Sequence, residues 1–184
     1  MAEATTRGEQ IVAAALELLE SHGPDGVTMR AIADRLGIRA PSLYKHVTNK
    51  QELEVAMIAE GFRQVAGIMA AAAREDRDPL ASLAAAYRGW ALDHPHLYRL
   101  MTYRPLPRDE LPAGVEDTAA APVMRVARGD PDAARALWAF AHGMTALEIA
   151  GRFPPDADLD TAWAAGLGAL RSLAADDSAV AAEG

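Results

Sequence analysis

The 184-residue chain has no cysteine, which excludes disulfides, thiolate metal sites and cysteine nucleophiles. Aromatic residues make up only 5% of the chain, and lysine occurs only twice, at Lys45 and Lys50. No apolar run approaches the roughly 20 residues that a membrane-spanning helix needs, and no signal peptide opens the chain. We therefore expect a cytoplasmic protein that has no membrane partner.

Alanine dominates what is present. The chain holds 42 alanines and few runs of β-branched residues, so helix is favoured throughout and we predict an all-α fold. Its length allows one or two small domains with a buried core. The formal net charge of −8 argues against a nonspecific nucleic-acid coat, but it permits positive potential confined to one end of the molecule.

Residues 28–50 are predicted to form two short helices joined by a tight turn. Thr28 suits an N-cap, because its hydroxyl can accept an otherwise unpaired N–H of the first turn. Ile32 and Leu36 lie at helical spacing and define one apolar face. Gly37 then provides the left-handed backbone that ends a helix at little steric cost.

The second helix of this pair has an apolar side and a polar side. Pro41 suits its first turn, and Leu43 and Val47 point inward. Five basic residues and one acid, Asp34, lie between residues 27 and 50. A polar helix face held outward beside local positive charge is typical of a helix-turn-helix unit that reads the major groove. The alternative is a hairpin of an ordinary helical bundle with solvated charges.

The stretch from Leu36 to Lys50 resembles the DNA-binding domain of TetR-type transcriptional regulators, and the resemblance extends from about Thr6 to about Ile58. It implies a homodimer that places two reading helices in successive major grooves of a double-stranded operator, roughly 34–36 Å apart. The positions that match the family's DNA contacts are Thr28, Met29, Arg30, Arg39, Ala40, Pro41, Ser42, Tyr44, Lys45, His46 and Lys50.

The chemistry of the side chains suggests which of these positions contact bases and which contact phosphates. Arg39 suits a bidentate contact with guanine, the Ala40 methyl suits a thymine methyl, and Ser42 can read several bases. The expected phosphate contacts, which set the register on DNA, are Tyr44, Lys45, His46 and Lys50.

We predict a helix-turn-helix domain over residues 6–50, with the first turns of the connecting helix reaching about residue 58. A helical ligand-binding and dimerisation domain is predicted over 51–175, and a disordered tail over 176–184. Thr48 is expected to cap the long connecting helix, with Gln51 as its capping-box partner. That helix would act as a lever between the two domains.

Two apolar helices close the sequence, at 131–152 and 158–174. The first is apolar on two faces, and the second has one apolar stripe with alanine and glycine positions that allow close approach. We predict that they form a four-helix dimer interface with a second copy. The alternative is that they only close the core of a monomer.

The segments Leu97–Met101 and Leu137–Met144, with Glu148 and Phe153 after them, resemble a C-terminal domain found in a subset of TetR-type regulators with a Trp-His-Gly signature. Aromatic, soft and polar side chains in this half could line a small-molecule pocket. The candidates are Met69, Trp90, Tyr98, Met101, Tyr103, Trp138, His142, Met144 and Glu148. For His142 and Glu148 the alternative is a structural role, in which a neutral His142 donates a hydrogen bond to Glu148 inside the core.

The predicted function is therefore sequence-specific DNA binding by a homodimeric repressor that a small-molecule effector releases. We predict no enzymatic activity, cofactor or metal, because the sequence has no His-Glu-x-x-His, phosphate loop or serine nucleophile elbow. His94 and His96 flank Pro95, which suits a helix end better than a metal site. The alternatives are an all-α ligand-binding or protein-interaction module whose helix-turn-helix does not bind DNA, and a small helical enzyme.

Overall fold

The computed structural model describes residues 6–74 and 78–180, the last nine of them by backbone alone. Within these ranges the secondary structure is helical and contains no strand, which confirms the predicted all-α class. The helices are α1 (Arg7–His22), α2 (Met29–Arg35), α3 (Ala40–Leu43), α4 (Lys50–Ala72), α5 (Pro79–Asp93), α6 (Pro95–Thr102), α7 (Val115–Val126), α8 (Pro131–Ile149) and α9 (Leu159–Val180). Short 3-10 turns lie at Pro24–Gly26 and Arg108–Glu110.

Contacts divide the chain into two compact units. The first comprises residues 1–64 and 94–115, and the second comprises residues 65–93 and 116–184. These units are defined by contacts, whereas the predicted domains, 6–50 and 51–175, are defined by function. The functional assignment stays a prediction. α6 belongs to the first unit because its packing partners, and not its position in the sequence, decide its place.

The core of the first unit is built on α1. This helix begins with a reciprocal capping box, in which Thr6 accepts from the Glu9 N–H and the Glu9 carboxylate accepts from the Thr6 N–H at 2.6 Å. Ile11 is fully buried, together with Ile32 of α2. α1 packs against α2, and the burial of such apolar side chains stabilises this packing.

α1 also holds the N-terminus of α6. His94, the N-cap residue of α6, provides no side-chain cap. The Glu20 carboxylate takes that role, accepting hydrogen bonds from the His96 N–H at 3.2 Å and the Leu97 N–H at 2.8 Å. A carboxylate at a helix N-terminus satisfies free N–H groups and complements the helix dipole. α6 is therefore tied to the helix that supports the reading motif.

The second unit contains the packed helices α5, α8 and α9. Trp163 of α9 is buried, and Phe140 of α8 lies edge-on to it with ring centroids 5.5 Å apart. A Cβ added to Gly166 would overlap the Phe140 ring, so glycine permits this approach of α9 to α8. The predicted close packing of these two helices is present within the unit.

The predicted end of the last helix needs correction. α9 continues to Val180, beyond the predicted end near residue 174. Residues 176–180 of the predicted disordered tail are therefore helical, and 181–184 lie outside the described residues.

α4 is long and apolar enough to cross a membrane by length and composition alone, although 44% of the apolar window is buried inside the protein. A core helix of a globular protein passes the same test.

Candidate nucleic-acid interface

The turn between α2 and α3 has the local chemistry that the sequence predicts. Thr28 is the N-cap of α2, and its hydroxyl accepts from the Ala31 N–H at 3.1 Å. Gly37 adopts a φ of 64°, and the next N–H, from Ile38, donates to the Ala33 carbonyl at 3.0 Å. This hydrogen bond closes a Schellman-type helix end, which fixes the direction in which the chain enters α3.

α3 is anchored by one buried side and exposes the other. Leu43 is fully buried, and Val47 in the following turn is 4% exposed. Tyr44, between them, is 53% exposed. The regular helix ends at Leu43, and the Leu43 carbonyl accepts from the N–H groups of both His46 and Val47, so a helical turn continues the same face.

The polar side chains on that face are free to bind a partner. Arg39, Ser42, Tyr44, Lys45 and His46 are exposed, and within the described residues their side chains have no ion pair or hydrogen bond. Basic and hydroxyl groups with unused donors suit contacts to bases and phosphates. The face is open to solvent and is not packed against the body of the unit.

The other predicted DNA contacts border this face. Thr28, Arg30, Pro41 and Lys50 are exposed, whereas Met29 and Ala40 are half-buried. Arg30 pairs loosely with Asp34, at 3.9 Å. All eleven predicted positions therefore lie on α2, on α3 or at the ends of these helices and of α4, and their individual roles stay predictions.

The start of α4 differs from the predicted capping box. α4 begins at Lys50, so the cap is Asn49, whose side-chain oxygen accepts from the Glu52 N–H at 2.9 Å. The Glu52 carboxylate in turn accepts from the Thr48 N–H at 2.6 Å. Hydrogen bonds from Thr48 lower the pKa of Glu52. The predicted pair of Thr48 and Gln51 is one residue out of register, because both threonine and asparagine can cap a helix.

Sequence reasoning missed the contacts that position the motif. Arg35 at the end of α2 donates from Nε to Glu17 of α1 at 2.9 Å, an ion pair between residues 18 positions apart. Gln51 of α4 donates to Glu110 at 2.6 Å. Neither pair has a local sequence signal, because each depends on how separate helices pack.

The predicted pocket residues fall into two groups. Tyr98, Met101 and Tyr103 belong to the first unit, where Tyr98 is buried and Tyr103 is 54% exposed. The second unit holds Met69 and Trp90, both buried, the half-buried Met144 and Glu148, and a stacked pair of Trp138 and His142. The rings of that pair are 5.4 Å apart at 16°, and Trp138 is 52% exposed.

Glu148 does not take His142 as its partner in the way that the alternative supposed. Its carboxylate accepts from Arg88 Nε at 2.9 Å and from Trp163 Nε1 at 2.6 Å. Arg88 also donates to Asp160 at 2.6 Å and lies 5.7 Å from the centre of the Trp163 ring. The acid and the arginine lie 60 positions apart in sequence, so only the packing of α5 against α8 brings them together. Burial lowers the pKa of His142.

Comparison with known proteins covers both halves of the chain. Residues 11–57 match the family of bacterial regulatory proteins called the tetR family, and residues 80–170 match the tetracyclin repressor-like C-terminal domain. The Trp-His-Gly subset is not named by this second match, so that detail stays a prediction.

Individual relatives agree with these family matches. An HTH-type transcriptional regulator of Mycobacterium tuberculosis, Rv0681, is 34% identical over 164 residues, covering 83% of this chain and 73% of that protein. The class D tetracycline repressor protein of Escherichia coli is 50% identical over 52 residues, which is 28% of this chain and 24% of that protein. The chain spans 46% of the length of three further mycobacterial regulators.

A solved structure matches over nearly the whole chain. It is a TetR variant from Acinetobacter baumannii in complex with minocycline, with a TM-score of 0.61 and 26% identity, covering 96% of this chain and 98% of that one.

Proposed function

The chain belongs to the TetR family of bacterial DNA-binding transcriptional regulators, and we propose that it acts in the cytoplasm as a homodimeric repressor that a small-molecule effector releases from its operator. The observation that carries the proposal is the solvent-facing polar side of α3, anchored from behind by the fully buried Leu43. A rigid helix with unused basic and hydroxyl groups suits the major groove better than a protein contact, which favours aromatic and apolar anchors.

Dimerisation is supported by the exposed faces of α8 and α9. Ala139, Gly143 and Leu147 follow one another at four-residue spacing along α8, and Leu147 is 43% exposed. On α9, Ala165 and Gly168 are exposed. A Cβ added to either glycine meets nothing within 4 Å in the single chain. Small exposed residues on two neighbouring helices allow the close helix approach of a four-helix interface with a second copy.

Effector binding is supported by the polar groups of the second unit. The Thr145 hydroxyl of α8 is fully buried and, within the described residues, has no hydrogen-bond partner. Unpaired buried hydroxyls are uncommon, and this one lies about one turn from His142 and Glu148. The similar TetR protein from A. baumannii holds minocycline. We propose that an effector bound beside these groups tilts α4 and changes the separation of the two reading helices.

The DNA-binding experiment uses a labelled fragment from the region upstream of the protein's own gene. Fluorescence anisotropy should show binding that unlabelled specific DNA competes away and random DNA does not. Arg125→Ala removes an exposed arginine of α7, outside the reading motif, and should leave the affinity for DNA unchanged. This variant is the control for substitutions in the reading motif. Equal competition by random DNA would favour the alternative of a helical module that does not read DNA sequence.

Two further measurements test the finer parts of the proposal. Sedimentation equilibrium should give a dimer, and Gly143→Glu should give a monomer whose circular dichroism is unchanged. Adding the small-molecule fraction of a cell extract should release the labelled DNA. A fraction that raises the melting temperature but leaves operator affinity unchanged would contradict induction.

A further inference from the structure

The first unit contains a pocket of about 150 Å³ beside the first turns of α4. Seven of its ten lining residues are apolar. Val55 and Ile58 of α4 form one wall, and Leu100, Met101 and Leu106, from α6 and the segment after it, form the other. Met101 is the only one of the predicted pocket residues that lines it. The pocket is therefore separate from the polar groups of the second unit.

Glu54 is the acidic group of this pocket, and its carboxylate is incompletely paired. Its side chain is 32% exposed. Lys50 Nζ lies 4.0 Å from Oε1, and Arg104 NH1 lies 3.9 Å from Oε2. Both separations exceed the 2.7–3.2 Å of an N–H···O hydrogen bond. Within the described residues, no donor lies at hydrogen-bonding distance from this carboxylate, although it stands at an apolar wall.

The two cations near Glu54 are weak competitors for it. The Arg104 side chain is 75% exposed and that of Lys50 is 61% exposed, so water solvates both groups well. Ion pairs between exposed groups contribute little, since the side chains lose entropy and the charges are screened. A ligand ammonium that enters the pocket can donate directly to Glu54, and charge-assisted hydrogen bonds of this kind are the stronger ones.

We propose that this pocket binds a small organic cation, an ammonium group carried on a single ring or an apolar body of similar size. The ammonium pairs with Glu54, and the apolar body lies between Ile58 and Leu106. Size supports this choice, because an apolar cavity of about 150 Å³ holds one benzene ring.

Benzylamine is the probe, and the full-length protein carries ¹³C-labelled methionine methyl groups. Titration followed by NMR should move the Met101 methyl signal, assigned with Met101→Leu, and leave that of Met144 in the second unit unmoved. Benzyl alcohol, which has the same size without the charge, and benzoate, with the opposite charge, should each bind at least tenfold more weakly. The readout involves no DNA, so it is independent of the repressor proposal.

Two variants locate the site. Glu54→Gln should weaken benzylamine binding at least tenfold. Glu60→Gln is the matched control, because Glu60 lies on the same helix, is also 32% exposed and pairs with Arg63 away from the pocket. Leu106→Trp, which fills the pocket from an irregular segment, should abolish binding while circular dichroism stays unchanged.

Three results would overturn the proposal. These are an unmoved Met101 signal at saturating benzylamine, equal binding of benzylamine by Glu54→Gln and the parent protein, or benzoate or benzyl alcohol binding as tightly as benzylamine.

Discussion

The reading motif around α2 and α3 and the α5–α8–α9 bundle are both helical, but their decisive contacts differ in range. In the motif, the Thr28 hydroxyl bonds the N–H three residues on, and Ile38 bonds the carbonyl five residues back. In the bundle, Glu148 is held by an arginine 60 residues away. Local contacts follow from residue types in a short window, whereas distant contacts depend on how helices pack.

The largest change in stability is expected when the buried side chain of Leu43, which anchors α3, is removed. Leu43→Ala removes a fully buried side chain and should lower the free energy of unfolding by about 2–5 kcal/mol, measured by urea denaturation. Operator binding should be lost with it, because α3 is no longer held outward. Leu92→Ala is the control, since Leu92 is 42% exposed and should cost less than about 1 kcal/mol.

The stability of the α5–α8–α9 bundle should depend on the contacts that Glu148 makes with Arg88 and Trp163. Glu148→Leu leaves Arg88 Nε and the Trp163 N–H without their acceptor, although Arg88 keeps its contact with Asp160, and should destabilise the protein by about 1–3 kcal/mol. The double variant Arg88→Met with Glu148→Leu should recover part of this loss, because the guanidinium that lost a partner is gone while the Trp163 N–H still lacks its acceptor. Thermal and urea unfolding measure both. Additive losses in the double variant would show that the two residues are not coupled.

Individual DNA contacts should show smaller and more selective effects. Arg39→Ala is expected to cost roughly 1–3 kcal/mol at one base position, since a bidentate guanine contact is lost. Lys50→Ala should weaken binding to all sequences alike and reduce the salt dependence by about one phosphate contact. Anisotropy titrations on operator and random DNA at several salt concentrations separate the two. Equal losses on both DNAs for Arg39→Ala would refute its role in base reading.

The smallest effect concerns pH and the second unit. Burial lowers the pKa of His142 in the folded protein, so the unfolded chain binds a proton more readily. The free energy of unfolding should therefore fall as pH drops below about 6.5, the ordinary histidine value. His142→Gln should flatten the melting temperature between about pH 7.5 and 5.5. The carboxylates with lowered pKa, such as Asp158, lose their contribution at more acidic pH. An unchanged slope in the variant would exclude His142 as the cause.

Much of the reading motif could be predicted from residues alone. Thr28, Gly37 and Leu43 each perform a task that a few neighbouring positions define: a cap, a left-handed turn and an inward anchor. The start of α4 was predicted one residue early, because Thr48 and Asn49 are both good caps and only the backbone selects between them. The exposure of the polar side of α3 follows from the same pattern.

Packing decided the rest. Glu148 had a plausible partner in His142, six positions earlier in sequence, but the arrangement of α5, α8 and α9 placed Arg88 and Trp163 against its carboxylate. The pocket at Glu54 joins α4 to a segment about 50 residues later, and no sequence window contains both of its walls. Hydrogen bonds within one helical turn depend on residue identity and spacing, whereas cavities and buried ion pairs depend on the distance between helices, which many side chains set together.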